Sequence, residues 1–198
     1  MRTATKPGLP GLFFRCTALL AALLLGACSP RFDFREVRGP DFVVALPGKP
    51  QTQTREVEYA GPGGPARLTM TLISSGVGPT LFAVGTTTLP AAALAPTEVE
   101  ASVAWFRDAL LRNVRGKLVA AQPLAVAVPG GRTLRTAQAV RAQGQPAGVS
   151  TDGKAGATVV AARFIVADDR LYQVVVLGAE SELTPAVLDT FFDSFRLL

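Results

Sequence analysis

Cys28 carries the most reactive side chain that this sequence places in a telling context. It closes Leu25-Gly26-Ala27-Cys28, with small residues before the sulfur and an apolar run before those. A thiol so placed is a candidate for alkylation by lipid, with the chain cut on its N-terminal side. The other cysteine, Cys16, lies within the apolar run and would leave with it. The chain has no histidine. That excludes Ser-His-Asp and Cys-His nucleophiles, HExxH zinc proteases and histidine-ligated metal sites. With both thiols accounted for, no disulfide or thiolate metal ligand is left for the remainder of the chain. The expectation is no catalytic residue, no cofactor-binding residue, no metal ligand and no enzyme. Cys28 is the single candidate site residue, as a point of lipidation.

Other constellations are weighed against plainer explanations. Gly148-Val149-Ser150-Thr151-Asp152-Gly153-Lys154 has the G-x4-G-K spacing of a phosphate loop. Ala155 stands where that loop needs Ser or Thr for magnesium, and a strand follows where a helix N-terminus should receive the phosphate. The stretch is read as a hairpin loop. Asp168-Asp169 could hold a cation but reads as a solvated turn. Glu98 and Glu100 belong to a helix start, and Asp189 and Asp193, four apart, to one solvated helix face. Arg132, Arg135, Arg141 and Arg163 fall on neighbouring strands and could gather an anion; a salt-bridged surface is the preferred reading. The Tyr172 hydroxyl, next to Gln173 in an apolar strand, is expected to be satisfied internally.

The residues before Cys28 supply its context. Arg2, Lys6 and Arg15 make a basic start without acids, and the uncharged run from Cys16 to Ala27 is 12 residues long. A membrane-spanning helix needs about 20. Basic start, short apolar run and small-residue cleavage site are the parts of a secretory leader. With Leu25, Gly26, Ala27 and Cys28 at the box positions, the segment resembles the signal of bacterial lipoproteins. That resemblance implies a diacylglyceryl thioether on Cys28 and attachment to the membrane through this lipid. Ser29, rather than Asp, follows the cysteine, which resembles the outer-membrane sorting pattern. The expected address is the bacterial cell envelope, on the periplasmic face of the outer membrane.

Removing residues 1–27 leaves 171 residues, and with the three leader cations gone the 20 basic residues fall to 17 against 15 acids, a formal charge of +2. That is the size of one domain with a real core. Its charge gives no reason to expect nucleic acid, and no nucleotide partner is expected. The partners expected are the membrane, through lipid on Cys28, and an envelope protein. The expected divisions are residues 1–27 as signal peptide, 28–40 as lipidated N-terminus and tether, and 41–198 as one α/β domain. Arg31, Arg35 and Arg38 in the tether could touch anionic head groups, though Asp33 and Glu36 offset them.

Hydropathy alternation marks the elements. Phe42–Leu46 reads as a strand stopped by Pro47-Gly48-Lys49-Pro50. Thr52–Tyr59 reads as a polar edge strand, and Ala66–Ile73 returns beside it. A strand around Leu81–Val84 is followed by a helix whose Thr97 and Glu100 suggest a capping box. Its apolar face is Val99, Val103, Phe106, Leu110 and Val114, with Gly116 as its stop. Strands near Leu118–Val128 and Thr133–Gln143 follow. Thr158–Val166 and Leu171–Leu177 are near-continuous apolar runs, as expected at a sheet centre covered on both faces. A closing helix starts at Thr184 with Pro185 at its first position and Leu183 and Leu188 as a hydrophobic staple.

Three of these segments, Phe42-x-Val44-x-Leu46-Pro47-Gly48-x-Pro50, Arg170–Val174 and Phe191-Phe192-Asp193-Ser194-Phe195, together resemble the PsbP-type family. That family includes an extrinsic photosystem II protein, a Ran-binding nuclear import factor and many bacterial proteins. The resemblance implies an α+β fold: a central antiparallel sheet of about six to eight strands with helices on both faces, a PsbP-like α/β/α sandwich. It carries no catalytic motif, and function does not follow from such a fold. The expected function is therefore a lipid-anchored, non-enzymatic binding or accessory module. The alternative is an envelope small-ligand or cation-binding sensor or enzyme using carboxylate, Arg and Tyr groups.

Overall fold

The structure, a computed structural model, describes residues 31–144 and 158–198. In chain order its strands are β1 (Phe34–Arg38), β2 (Phe42–Pro47), β3 (Gln51–Tyr59), β4 (Ala66–Val77) and β5 (Thr80–Thr88). A 3-10 turn (Ala91–Leu94) and helix α1 (Val99–Asn113) follow. Then come β6 (Lys117–Pro123), β7 (Leu134–Gly144), β8 (Thr158–Ala167), β9 (Arg170–Ala179), helix α2 (Pro185–Ser194) and β10 (Arg196–Leu197).

All pairing is antiparallel. Seven strands form one sheet in the order β3-β4-β5-β9-β8-β7-β6, and three form another in the order β1-β2-β10. The two-sided apolar runs take the middle of the larger sheet. Along β8, Val159, Ala161 and Ile165 face one core with Phe42, Val44, Phe82 and Phe191. Ala162, Phe164 and Val166 face the other, with Val103 and Phe106 of α1. Side chains alternate across a strand, so a run buried on both faces needs cover on both. The small sheet and α2 cover the first face; α1 and the 3-10 turn cover the second. The first core is rich in aromatic edge-to-face contacts: Phe82 meets Phe32, Phe34 and Phe191 with centroids 5.1–5.5 Å apart.

The expected helix-flanked α/β/α sandwich is corrected by this architecture. Strands take 52% of the described residues and helices only 19%, so the protein is mostly β, with two antiparallel sheets. The missed layer comes from two segments without a strong pattern. Phe34–Arg38, read as tether, is β1, paired with Val43–Pro47 of β2. Arg196 and Leu197 pair with Val43 and Phe42 as β10. Strand β6 is also shorter than read, ending at Pro123; Leu124, Val126 and Val128 beyond it pack on the first core.

Both ends of α1 differ from the capping expectation. Thr97 and Glu100 form no box, and no side chain caps the helix. Glu98 is already in helical conformation, and Val99 N–H donates to the Ala95 carbonyl, so the first turn winds from Ala95 through Pro96. At the other end Arg115 N–H donates to Arg112 and Gly116 N–H to Leu111. That is a Schellman motif whose left-handed residue is Arg115, at φ 46°, rather than Gly116. Gly116 is needed for space: a Cβ there would lie 2.9 Å from Val114 Cγ2. Helix α2 starts as expected, with Thr184 Oγ1 accepting from Val187 N–H at 3.4 Å.

Candidate functional site

The register of β6, β7 and β8 builds a groove on the first face of the large sheet. Ala120 of β6 lies opposite Arg141 of β7, which lies opposite Ala161 of β8. In the next row Gln122 lies opposite Ala139, which lies opposite Arg163. Arg141 and Arg163 are therefore diagonal neighbours on a floor otherwise made of alanines and Gln122. Three alanines on adjoining strands leave a depression between the longer side chains, because at those three positions nothing rises beyond a methyl group. Leu188 and Phe192 of α2 form its apolar wall. The groove encloses about 310 Å³ and is open to solvent along one side. That is at the small end of the range used by ligand pockets.

The two guanidiniums are held differently. Arg163 lies over the Phe192 ring at 4.8 Å, donates to the Phe192 carbonyl at 3.0 Å and to Asp193 at 3.2 Å. It seals the end of α2 onto the sheet. Among the described residues Arg141 has one ion pair, with Glu180 at 3.1 Å, and both of these side chains are about half exposed. An exposed pair of this kind contributes about 0–1 kcal/mol. The Arg141 guanidinium is therefore the polar group of the groove most readily handed to another anion.

Arg132 and Arg135 do not join this groove. Arg132 donates from Nε to Asp168 at 2.8 Å and from Nη2 to the Tyr172 oxygen at 2.9 Å. Tyr172, fully buried, in turn donates to the Asp41 carboxylate, which also pairs with Arg170 at 3.1 Å. Asp168 accepts from Thr133 N–H at 2.9 Å, and Arg135 donates to the Asp168 carbonyl and to the Leu94 carbonyl. The chain of contacts ties the β1–β2 turn, the β8–β9 turn and the segment before β7 together. Burial and the Asp41 bond push the Tyr172 phenol up to about 12. The Thr133 amide, then Arg132, hold Asp168 below the usual carboxylate range. Burial pulls the Arg132 guanidinium pKa down, but its Asp168 and Tyr172 bonds more than reverse this. Every member is fixed by another, apart from Asp41 Oδ1, which is buried without a donor among the described residues.

The four arginines weighed as a possible anion patch fall into two places, Arg141 with Arg163 and Arg132 with Arg135, and each has an acid or a carbonyl within reach. The Asp168-Asp169 turn joins β8 to β9, with Asp168 at φ 55° and committed to Arg132. Glu98 lies just ahead of α1 and Glu100 in its first turn. Asp193 pairs with Arg163, whereas Asp189 is exposed. Among the described residues no group of three or more His, Cys, Asp or Glu side chains is placed to hold a metal ion. A second depression, about 530 Å³, lies between β1 and the turn after β2. Its charges cancel, Asp33 and Glu36 against Arg35 and Lys49, and Arg35 is already 2.6 Å from Asp33. Cys16, Cys28 and the Gly148–Lys154 stretch, read as a hairpin loop, lie outside the described residues.

Sequence reasoning missed Asp41 as the partner of Tyr172, and it missed the alanine floor. One signal for the floor was present: Ala139-Val140-Arg141 and Ala161-Ala162-Arg163 repeat an Ala-x-Arg dyad on consecutive strands. The segments behind the PsbP-type resemblance are mostly core positions, with Phe42, Val44, Leu46, Tyr172 and Phe191 all buried. No family model matches the chain, and neither does any curated protein.

Proposed function

We propose that this protein is a lipid-anchored lipoprotein of the bacterial cell envelope whose domain is a non-enzymatic binding module. The observation that carries the binding half is the groove over β6, β7 and β8, an open concavity with an apolar wall and one loosely held guanidinium. The polar groups best suited to catalysis support the non-enzymatic half. Tyr172, Arg132, Asp41 and Asp168 hold one another in a clamp, and none of them lines either of the two depressions described above. The anchoring half is supported by Leu25-Gly26-Ala27-Cys28 after a 12-residue uncharged run. No helix among the described residues is long and apolar enough to cross a membrane. Lipid on Cys28 would supply the attachment, each buried methylene contributing about 0.8 kcal/mol. The periplasmic face of the outer membrane is the proposed address, on the strength of Ser29.

The groove also favours, for the ligand, what was expected only as the alternative: a small molecule rather than an envelope protein. Its volume suits a small molecule, and its two arginines lie on one rigid sheet. Assay of the purified chain against panels of hydrolase and transferase substrates tests the non-enzymatic claim. The expected result is no turnover above a mock preparation. Turnover that follows the chain through purification and falls when Ala139→Leu fills the groove would overturn it.

A further inference from the structure

We propose that the groove binds a small amphipathic carboxylate, its anionic end on Arg141 and its apolar part along the alanine floor. The inference rests on the reading of this domain as a binding module and names the ligand chemistry of that same groove.

Three observations carry it. First, the floor is built to be empty. Alanine is disfavoured in strands, yet Ala120, Ala139 and Ala161 occupy adjoining floor positions on three consecutive strands. The consequence is the 310 Å³ space beside Leu188 and Phe192. Second, Arg141 already pairs with a carboxylate. Glu180, which does not line the groove, reaches Arg141 from the loop after β9, at 3.1 Å from Nη2, and it is more than half exposed. A ligand carboxylate would take its place on the guanidinium, and little free energy is lost when the pair opens. Third, the other polar groups suit an anion. Gln122 is diagonal to Arg141 and offers two donors from its amide. Arg163 stays on Phe192 and Asp193, and so fixes the wall, its charge offset by Asp193. A guanidinium recognises a carboxylate by two parallel hydrogen bonds, and the methyl floor takes the chain behind it.

The pair of Arg141 and Glu180 then acts as a built-in competitor. This yields an asymmetric expectation that a merely structural ion pair would not produce. Removing Arg141 should weaken binding, whereas removing Glu180 should tighten it.

The test uses the full chain in phospholipid nanodiscs with carbon-13 alanine methyls, titrated with hexanoate and, separately, with hexanol and acetate. Saturable shifts at Ala120, Ala139 and Ala161 are expected below roughly 10 mM, a realistic limit for so small a ligand. Hexanol and acetate should each bind about tenfold more weakly, since each lacks one half of the recognition. Arg141→Gln should weaken hexanoate about tenfold, while Glu180→Gln should tighten it about threefold, both without change in Tm. Ala139→Leu should abolish the shifts at Ala120 and Ala161 with both charges in place. Hexanol matching hexanoate, the absence of saturable floor shifts, or an unchanged affinity in Glu180→Gln would each overturn the proposal. None of these outcomes bears on the lipid at Cys28 or on turnover, so the ligand can fail while the anchored binding module stands.

Discussion

Tyr172 shows how one residue can look reactive and be structural. Its hydroxyl is held between the Asp41 carboxylate and the Arg132 guanidinium, beneath Phe42 and Phe195, whose ring centroids lie 6.2 and 5.8 Å away. Removing the hydroxyl leaves Asp41 Oδ2 with Arg170 alone, beside the unpartnered Oδ1, and takes the acceptor from Arg132 Nη2. Tyr172→Phe should therefore lower stability by about 1.5–3 kcal/mol, the range for hydrogen bonds to charged groups. Denaturant unfolding would measure it, and a change within error would contradict the clamp. The same residue sets an alkaline limit. Its folded pKa, about 12, lies above the ordinary tyrosine value of 10. The stability it contributes is complete below pH 10 and declines from there to about 12, because the unfolded chain loses the proton first. Tyr59, raised by burial and bonded to Ser102, adds to that slope. The unfolding free energy of Tyr172→Phe should fall less steeply above pH 10 than that of the wild type.

At the scale of elements, the end of α1 offers the clearest prediction. Arg115 takes the left-handed position of a Schellman motif, which glycine fills at no steric cost. Arg115→Gly should stabilise the protein by about 0.5–1 kcal/mol, the relief of strain being partly offset by the freer unfolded chain. Thermal unfolding would show a higher Tm; a lower one would mean that the Arg115 side chain contributes contacts outweighing its backbone strain. The same helix shows where sequence signals reach their limit. Thr97 and Glu100 have the types and spacing of a capping box, but the Glu98 and Val99 N–H groups both bond to the Ala95 carbonyl, so Thr97 lies inside a turn that is already wound and caps nothing. Strands β8 and β9 were legible because apolar residues on both faces leave few other places for them. Strand β1 was not, since only Phe34 and Val37 of its five residues turn inward, while Arg35, Glu36 and Arg38 face solvent. Strand β10 is two residues long and carries no pattern at all. The groove needed the register as well. Ala-x-Arg on two strands is unremarkable until antiparallel pairing makes the arginines diagonal and the alanines a floor.

For the whole molecule, the account joins a lipid anchor to a domain held by its core alone. The sequence offers no disulfide for residues beyond Cys28, and the described residues instead bury two aromatic-rich cores on the two faces of one sheet. The groove opens on one of those faces, beside α2. Lipid at Cys28 would keep this domain at a membrane surface. The central claim is that anchor, and the intact mass of detergent-extracted protein tests it most directly. The account predicts a chain that begins at Cys28 and carries acyl mass on that residue. In Cys28→Ala the thiol is absent, so the precursor should keep its leader. A wild-type protein that begins at Met1, or one that carries no acyl mass at Cys28, would contradict it.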